Sequence, residues 1–411
     1  MFSSKTWVAS PLPKLNWLSP QSSSPLSANR ALGAKLFLIT IFTMLGLLIL
    51  NQPPPQHSRQ TCQDPFSQLG SLFLHPTQAS QTNWIPFNSN CPPATNYISA
   101  IRQLSNLPIE KESQFITFSN ITNLTIFRDT VHFLRNRTIL VLGDSVDRNS
   151  VIHFCQLISQ PVRITSWKNA SKLAPFITHP HLDSSHLAVP PHGSDLEGFD
   201  IRGLPHVCFV EELDFVFLNG FHYGMDDQNL FNSSQHPDWR PPGKFEDRID
   251  KLIKPYLNQA FVRPRSPDLV IWSSGFWDLA FFGTKDELSE RDLTTQLSPQ
   301  RLNWWFARAK KTLLNIKSSF PNALLVMRKI HRPGATTEQT RWMQDIRVHQ
   351  IQQAQEFISS QFEFYKIFDF GRLFEGYEKY QENVHPFQNP SSIIAQAYLH
   401  YLKLAVNEKL I

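Results

Sequence analysis

Residues able to carry out nucleophilic catalysis occur at two points of the sequence, a serine at position 145 and an acid and a histidine near the C-terminus. A serine hydroxyl becomes a nucleophile when an imidazole takes its proton, and a carboxylate commonly orients that imidazole. Two residues separate Glu382 from His385, so both side chains can project from one loop. We therefore expect Ser145 to be the nucleophile, His385 the base and Glu382 the acid that orients the base.

Two alternatives to this triad stay open at the level of sequence. Asp369 follows an apolar run at residues 364–368, and a carboxylate at the end of a strand would also point toward such a site. Ser145 could instead belong to a plain strand-to-helix turn, because Asp and Ser are common helix caps. Glu382 is favoured over Asp369 because its spacing keeps it on the same loop as His385.

The element that must position Ser145 is predicted to be a strand, a turn and a helix. Thr138–Leu142 is a short β-branched and leucine run, which indicates a buried strand. Apolar residues from Val151 to Ile158 recur at the spacing of a helix core stripe. A serine at such a turn presents its hydroxyl above the sheet edge, where backbone N–H groups at the helix start face it. The residues expected to support the turn are Gly143, Asp144, Arg148 and Asn149.

Later apolar runs predict further buried strands, and helical patterns separate several of them. The strand-like runs are residues 162–166, 213–218, 268–272, 323–327 and 364–368, and the clearest helical patterns are residues 302–318 and 391–404. This alternation predicts an α/β fold with a doubly wound parallel sheet. Ligands of such folds lie at the carboxyl ends of strands, where Ser145 falls. The candidates for stabilising an oxyanion there are Ser145 itself, Gly220, Ser273 and Gly275.

The N-terminal part of the chain is predicted to be a membrane anchor. Residues 1–30 are rich in Ser and Pro and are expected to be a disordered cytosolic tail. Residues 31–50 are almost wholly apolar and long enough for a single transmembrane helix, followed by a stem at 51–61. Basic residues precede the span, which predicts a type II orientation with the remainder in the lumen. A cleaved signal peptide is the competing interpretation.

Glycosylation and cysteine patterns agree with a lumenal location for the chain beyond residue 61. Sequons occur only after the apolar span, at Asn120, Asn123, Asn136, Asn169 and Asn232. The cysteines also follow it, at Cys62, Cys91, Cys155 and Cys208, as expected in an oxidising compartment. Four cysteines allow three pairings, and proximity in sequence favours Cys62 with Cys91. We expect an N-terminal lobe over residues 62–134 and a catalytic domain over residues 135–411.

Charge and composition exclude several classes of function. The net charge is +5, but four basic and no acidic residues precede residue 51, so the remainder carries only about +1. A nucleic-acid partner is therefore not expected. The histidines between residues 179 and 192 lack the spacing of metal ligands, so a solvated loop is favoured. We expect no metal site and no cofactor.

The sequence around Ser145 resembles a known family. Residues 143–149 (GDSVDRN), with Cys-Gln-Leu at 155–157, are similar to the G-D-S-x-x-R-N…C-x-L block of the trichome-birefringence-like proteins, the PC-esterase branch of the SGNH (GDSL) hydrolase superfamily. Residues 268–277 resemble that family's second block, residues 327–333 its R-T-x-S-P segment, and residues 62–70 its N-terminal box. The resemblance implies an SGNH-like fold, residence in the Golgi or another secretory compartment, and O-acetylation of polysaccharides.

Two departures from the family limit what the resemblance implies. The chain has Glu382 where the family has an aspartate, and Ser273 where the family has an asparagine that stabilises the oxyanion. The expected function is a glycan O-acetyltransferase that uses an acetyl donor and a carbohydrate substrate. The alternatives are a carbohydrate acetyl esterase and a catalytically inactive glycan-binding or scaffolding domain. Aromatic residues between 272 and 282 are either a surface that stacks on sugar rings or core packing.

Overall fold

The computed structural model describes Cys62 and residues 64–105, 129–164, 203–232, 242–259, 261, 263–335, 337–338, 340–362 and 365–408. These residues form a mixed α/β fold around a seven-stranded sheet, as the sequence predicts. The strands in chain order are β1 (Gly70–Phe73), β2 (Asn83–Pro86), β3 (Thr138–Leu142), β4 (Val162–Ile164), β5 (His206–Val210), β6 (Phe215–Asn219), β7 (Leu269–Trp272), β8 (Leu324–Arg328), β9 (Tyr365–Phe368), β10 (Gln381–Glu382) and β11 (His385–Pro386). The helices are α1 (Tyr97–Ser105), α2 (Ser145–Leu157), α3 (Phe245–Arg248), α4 (Lys254–Gln259), α5 (Phe276–Leu288), α6 (Pro299–Ser319), α7 (Asp345–Ser360), α8 (Phe370–Phe374) and α9 (Gln388–Glu408).

The central sheet has the strand order β4-β5-β6-β3-β7-β8-β9. Strands β6, β3, β7, β8 and β9 pair in parallel, whereas β5 is antiparallel to both β4 and β6. The expectation of an all-parallel sheet is therefore wrong at this edge. The physical reason is that a short turn, with Asp214 in the left-handed region (φ 46°), connects β5 to β6. Two parallel neighbouring strands need a long crossover connection, so strands joined by a short turn must pair antiparallel.

Burial of the central strands on both faces explains their sequences. Every residue of β3, β6 and β7 is buried, so these strands are apolar except for Thr138 at the start of β3 and Asn219 at the end of β6. Helices α2 and α9 pack against each other, and α5, α6 and α7 form a second packed group. The predicted helix near residues 302–318 is α6, where the Ser298 side chain accepts a hydrogen bond from Arg301 N–H and Pro299 occupies the first turn.

The chain reverses its direction of winding at β3. After β3 the chain builds β4, β5 and β6 on one side of it, and then crosses to add β7, β8 and β9 on the other side. Such a switch point opens a crevice outside the carboxyl ends of the strands, which is where ligands of open α/β sheets bind. Ser145 lies three residues beyond the last residue of β3, and therefore at this crevice.

The segment expected as an N-terminal lobe shares the hydrophobic core of the sheet. The ring of Phe66 contacts Phe368 of β9, and Arg372 donates hydrogen bonds to the carbonyls of Phe66 and Gln68. The disulfides pair Cys62 with Cys91 and Cys155 with Cys208. The pairing favoured by proximity in sequence is thus confirmed.

Several expectations concern residues outside the described ranges. They are the tail, span and stem over residues 1–61, the sequons at Asn120, Asn123 and Asn169, and the histidine-rich loop. Within the described residues, no helix has both the length and the apolar character that crossing a membrane requires. Asn136 is exposed at the surface, and Asn232 ends a short 3-10 turn.

Candidate active site

Ser145 begins helix α2 directly after the turn that follows β3. The Asp144 carboxylate caps this helix by accepting a hydrogen bond from Val146 N–H at 2.9 Å. A Cβ at Gly143 would overlap with the carboxylate of Asp147, so the turn requires glycine at this position. The Gly143 carbonyl accepts a hydrogen bond from His222 N–H, which joins the turn to the segment after β6. Ser145 is thus held at the sheet edge, partly exposed, at a helix N-terminus.

His385 lies beside Ser145 although 240 residues separate them in sequence. The distance from His385 Nε2 to Ser145 Oγ is 2.7 Å, so the serine hydroxyl can donate its proton to the imidazole. Burial, together with the charges of Arg148 and His153, lowers the pKa of His385 to about 3. The ring is therefore neutral near pH 7 and can act as a base. Among the expected site residues, these two are the pair that can start acyl transfer.

A β-hairpin formed by β10 and β11 carries His385. Asn383 lies at its tip in the left-handed region (φ 56°), and Glu382 pairs directly across from His385. The fully buried His331 holds the hairpin from below, because its Nε2 contacts Gln381 Oε1 at 2.8 Å and the Val384 carbonyl at 3.0 Å. Both partner atoms are oxygens that can only accept a hydrogen bond, so the Nε2 atom of His331 carries the ring proton. His331 therefore fixes the residue next to the base.

The two carboxylates considered as the orienting acid differ in their surroundings. Glu382 is exposed and its side chain lies on the same face of the hairpin as His385, but no hydrogen bond joins the two. Asp369 caps helix α8 by accepting a hydrogen bond from Arg372 N–H, and it binds Lys329 Nζ at 2.7 Å. Asp369 is thus engaged in holding α8 and the end of β8.

The expected oxyanion residues other than Ser145 are buried in the sheet edge. The Gly220 N–H donates to the Val141 carbonyl and the Ser273 N–H to the Leu142 carbonyl, so both extend the sheet. Ser273 is fully buried, and its hydroxyl has no partner among the described residues. Gly275 is buried beneath Ile330. None of these three residues is among the lining residues of the pocket beside Ser145, and their expected role in stabilising an oxyanion stays a prediction. The Ser145 N–H is the remaining donor of that set.

A buried ion pair supports the turn from below. Asp147 and Arg328 are both fully buried, and two hydrogen bonds of 2.9 and 2.8 Å join them, while Tyr398 donates a third to Asp147. Arg328 ends β8, so this pair ties the first turn of α2 to a second strand. Burial and then the nearby Asp147 charge raise the pKa of Asp144 to about 6. Removing either partner of such a pair is costly because it leaves an uncompensated buried charge.

A polar pocket of about 260 Å³ extends from His385 along helix α2. Its lining comprises Asn149, His153, Gln156, Glu382, His385, Pro386, Phe387 and Gln388. Arg148 donates from Nε and Nη2 to Asn149 Oδ1 and lies over the ring of Phe221. Asn149 thus both accepts hydrogen bonds from Arg148 and lines the pocket, and the expected role of the two residues in supporting the turn stays a prediction.

The aromatic residues after β7 are core residues. Trp272, Phe276, Phe281 and Phe282 are all nearly fully buried, and Trp277 packs against Tyr223 and neighbouring rings. They therefore do not form a surface on which sugar rings stack. Within the described residues, no cluster of His, Cys, Asp and Glu has the arrangement of a metal site.

Sequence reasoning missed two parts of the site. Arg328 lies in the segment compared with the R-T-x-S-P block, but its pairing with Asp147 across 181 residues left no local signal. His331 lies three residues further on and appears in sequence as a polar residue before Arg332 and Pro333. A histidine just beyond the end of a buried strand could have indicated a role at the site.

No protein family matches the chain, and no curated protein sequence matches it. Among solved structures, the chain is similar to a carbohydrate esterase of family 3 from Talaromyces cellulolyticus, with 14% identity and a TM-score of 0.32. The match covers 66% of this chain and 99% of the esterase. Similarity of this degree does not assign the chain to a family.

Proposed function

We propose that the chain is an SGNH-like serine enzyme that cleaves acyl esters, with acetylated carbohydrate as the substrate. The observation that carries this proposal is the 2.7 Å contact between Ser145 Oγ and His385 Nε2 at the switch point of the sheet. The strand–turn–helix context of Ser145 and the resemblance of residues 143–149 to the PC-esterase block support the SGNH assignment.

The proposed reaction proceeds through a serine ester. His385 Nε2 takes the Ser145 proton as Oγ attacks the ester carbonyl, and the N–H of Ser145 at the start of α2 donates to the oxyanion that forms. The alcohol leaves with the proton from His385. Water then attacks the acyl group with His385 again as base, which releases the acid and restores Ser145. Glu382 is the proposed orienting acid, because it lies across the hairpin from His385.

Transfer of the acetyl group to a sugar hydroxyl is the second candidate. The observation that favours it is the block at residues 143–149, since the family it resembles consists of polysaccharide O-acetyltransferases. Both reactions use Ser145, His385 and Glu382, so they differ only in whether water or a sugar accepts the acyl group. We also propose that residues 31–50 anchor the chain in a secretory membrane with the catalytic domain in the lumen, on the sequence pattern alone.

The two candidates can be separated by following both products. The full-length protein is incubated with an activated acetyl ester, with and without neutral oligosaccharide acceptors, and free acetate and acceptor mass are measured. Hydrolysis predicts acetate release that acceptors do not suppress, and transfer predicts acetylated acceptor in place of acetate. Ser145→Ala should abolish either product. Turnover that persists in Ser145→Ala would contradict the proposed nucleophile, and absence of both products in the folded wild type would favour an inactive domain.

A further inference from the structure

The pocket next to the catalytic pair has the chemistry of a site for a neutral sugar. Most of its lining side chains are amides and imidazoles, and its apolar members are Pro386 and Phe387. Such a surface cannot desolvate a long acyl chain or an apolar alcohol, because few apolar atoms face it. Its volume of about 260 Å³ lies near the lower end, roughly 300 Å³, of ordinary ligand pockets, which fits one ring.

The polar groups of this pocket are held in fixed orientations. A guanidinium can only donate, so the contact of Arg148 with Asn149 Oδ1 turns the Asn149 amide nitrogen away from Arg148. Gln388 Nε2 donates to Gln156 Oε1 at 3.2 Å, which joins the start of α9 to α2. Asn149, His153 and Gln156 follow one another at helical spacing on one face of α2. The hydrogen-bonding groups of these three side chains therefore lie in one row along α2, and the row starts beside His385.

An exposed aromatic ring borders the same pocket. Phe387 is 49% exposed although it directly follows β11, and its backbone N–H is fixed by the Tyr380 carbonyl. A flat apolar ring beside amide side chains matches the faces of a pyranose, which is apolar on its C–H face and polar at its rim. Glu382 is the one acidic side chain among the described lining residues, and the cationic Arg148 beside the pocket is buried and engaged by Asn149 and the ring of Phe221. An anionic sugar would therefore meet a carboxylate at the pocket surface and is disfavoured.

We infer that this pocket binds the neutral sugar ring that carries the ester, with Phe387 under the ring and Asn149, His153 and Gln156 bonding its hydroxyls. The inference rests on the proposed function, because it assigns the alcohol half of the substrate to the α2 side of Ser145. Selectivity for a neutral over an acidic sugar follows from Glu382.

The test measures binding without catalysis. Full-length Ser145→Ala is titrated calorimetrically with neutral gluco- and xylo-oligosaccharides, with uronic acid oligosaccharides, and with octanol. In this background Phe387→Ala and Gln156→Ala are each expected to weaken neutral-sugar binding about tenfold. The matched controls are Phe357→Ala, a residue 57% exposed on α7, and Gln353→Ala on the same helix, which should leave affinity unchanged.

Each outcome decides the inference. Saturable neutral-sugar binding that both pocket variants weaken and both controls retain supports it. Equal binding in pocket and control variants, no neutral-sugar binding, or tighter binding of uronic acid oligosaccharides or octanol overturns it. The proposed function is judged separately by turnover of a simple acetyl ester in the wild type. Turnover together with unselective sugar binding would contradict the inferred sugar site and leave the proposed esterase activity standing. Selective sugar binding without turnover would contradict the proposed esterase activity and leave the sugar site standing.

Discussion

At the scale of single residues, the proposed mechanism makes the reactivity of Ser145 depend on the protonation state of His385. Proton transfer to Nε2 requires the neutral ring, and burial with the neighbouring Arg148 charge favours that form. A histidine with its ordinary pKa of about 6.5 would lose half its activity near that pH. In this site the neutral form persists well into the acid range.

The first prediction concerns how far activity persists as the pH is lowered. Because the pKa of His385 is lowered to about 3, kcat/KM should stay nearly constant from pH 7 to about pH 5. The measurement is a pH–rate profile on a simple acetyl ester, with protein stability checked at each pH. A midpoint of the acid limb near pH 6.5 would show that His385 has an ordinary pKa and would contradict the described environment.

The second prediction concerns the orienting acid. Loss of a hydrogen-bonded triad acid costs about 10⁴ in turnover, and Glu382→Gln should cost less, about 10- to 100-fold, because Glu382 is exposed. Asp369→Asn should mainly lower thermal stability, since Asp369 caps α8 and binds Lys329. Rates and melting temperatures of both variants are compared. A near-wild-type Glu382→Gln beside a folded but inactive Asp369→Asn would reverse the assignment.

At the scale of secondary structure elements, the site depends on two anchored segments. The first turn of α2 is tied to β8 by the Asp147–Arg328 pair, and the β10–β11 hairpin is tied to the segment after β8 by His331. Both anchors therefore reach the end of one strand. Because Ser145 and His385 are fixed to the same part of the sheet, their 2.7 Å contact is determined by the fold.

The third prediction tests His331 as a positioning residue. His331→Phe leaves Gln381 Oε1 and the Val384 carbonyl without their buried donor, which should lower stability by about 1–3 kcal/mol. With a simple acetyl ester, which does not need the sugar pocket, it should also lower kcat about tenfold or more, because the base is misplaced. His331→Asn, which can still donate, should recover part of the activity.

The control for this prediction is another buried side-chain donor. Gln396 donates to the Thr82 carbonyl at 2.8 Å, and Gln396→Leu should lower stability by a similar amount. If Gln396→Leu and His331→Phe reduce kcat equally at equal stability, the role of His331 is purely structural.

Elements with strong local signals could be predicted from sequence, and those set by distant contacts could not. Helix α6 has a serine cap, a first-turn proline and an apolar stripe, and β3 is a continuous apolar run. Strand β5 was missed, and with it the antiparallel edge of the sheet. The contact between Ser145 and His385 could be expected because both residues lie in short motifs. The pocket along α2 could not be predicted from the sequence, since its residues come together only when α9 packs against α2.

At the scale of the whole molecule, buried titratable groups link folding to pH. Burial lowers the pKa values of His206, His331 and His385 to about 3 and that of His222 to about 4. Between those values and about 6.5 the unfolded chain binds more protons than the folded one, so stability rises with pH. Burial raises the pKa values of Asp144 and Asp278 to about 6, which acts in the opposite direction between about 3.8 and 6.

The fourth prediction follows from this balance. The four buried histidines destabilise the folded state on acidification more than the two buried aspartates stabilise it. The free energy of unfolding should therefore decrease steadily as the pH falls from 7 to 4. Urea unfolding at intervals over that range provides the measurement. A free energy of unfolding that is flat or rises on acidification would show that the buried histidines are protonated in the folded state.

The fifth prediction is the acylation of Ser145 itself. The full-length protein is treated with a fluorophosphonate, which reacts with serines activated by a neighbouring base, and is then digested and analysed by mass spectrometry. We expect one modification, on Ser145, that disappears in Ser145→Ala and falls at least about 100-fold in rate in His385→Ala. Modification of another residue, or of none in folded wild-type protein, would contradict the role of Ser145 as a nucleophile activated by His385.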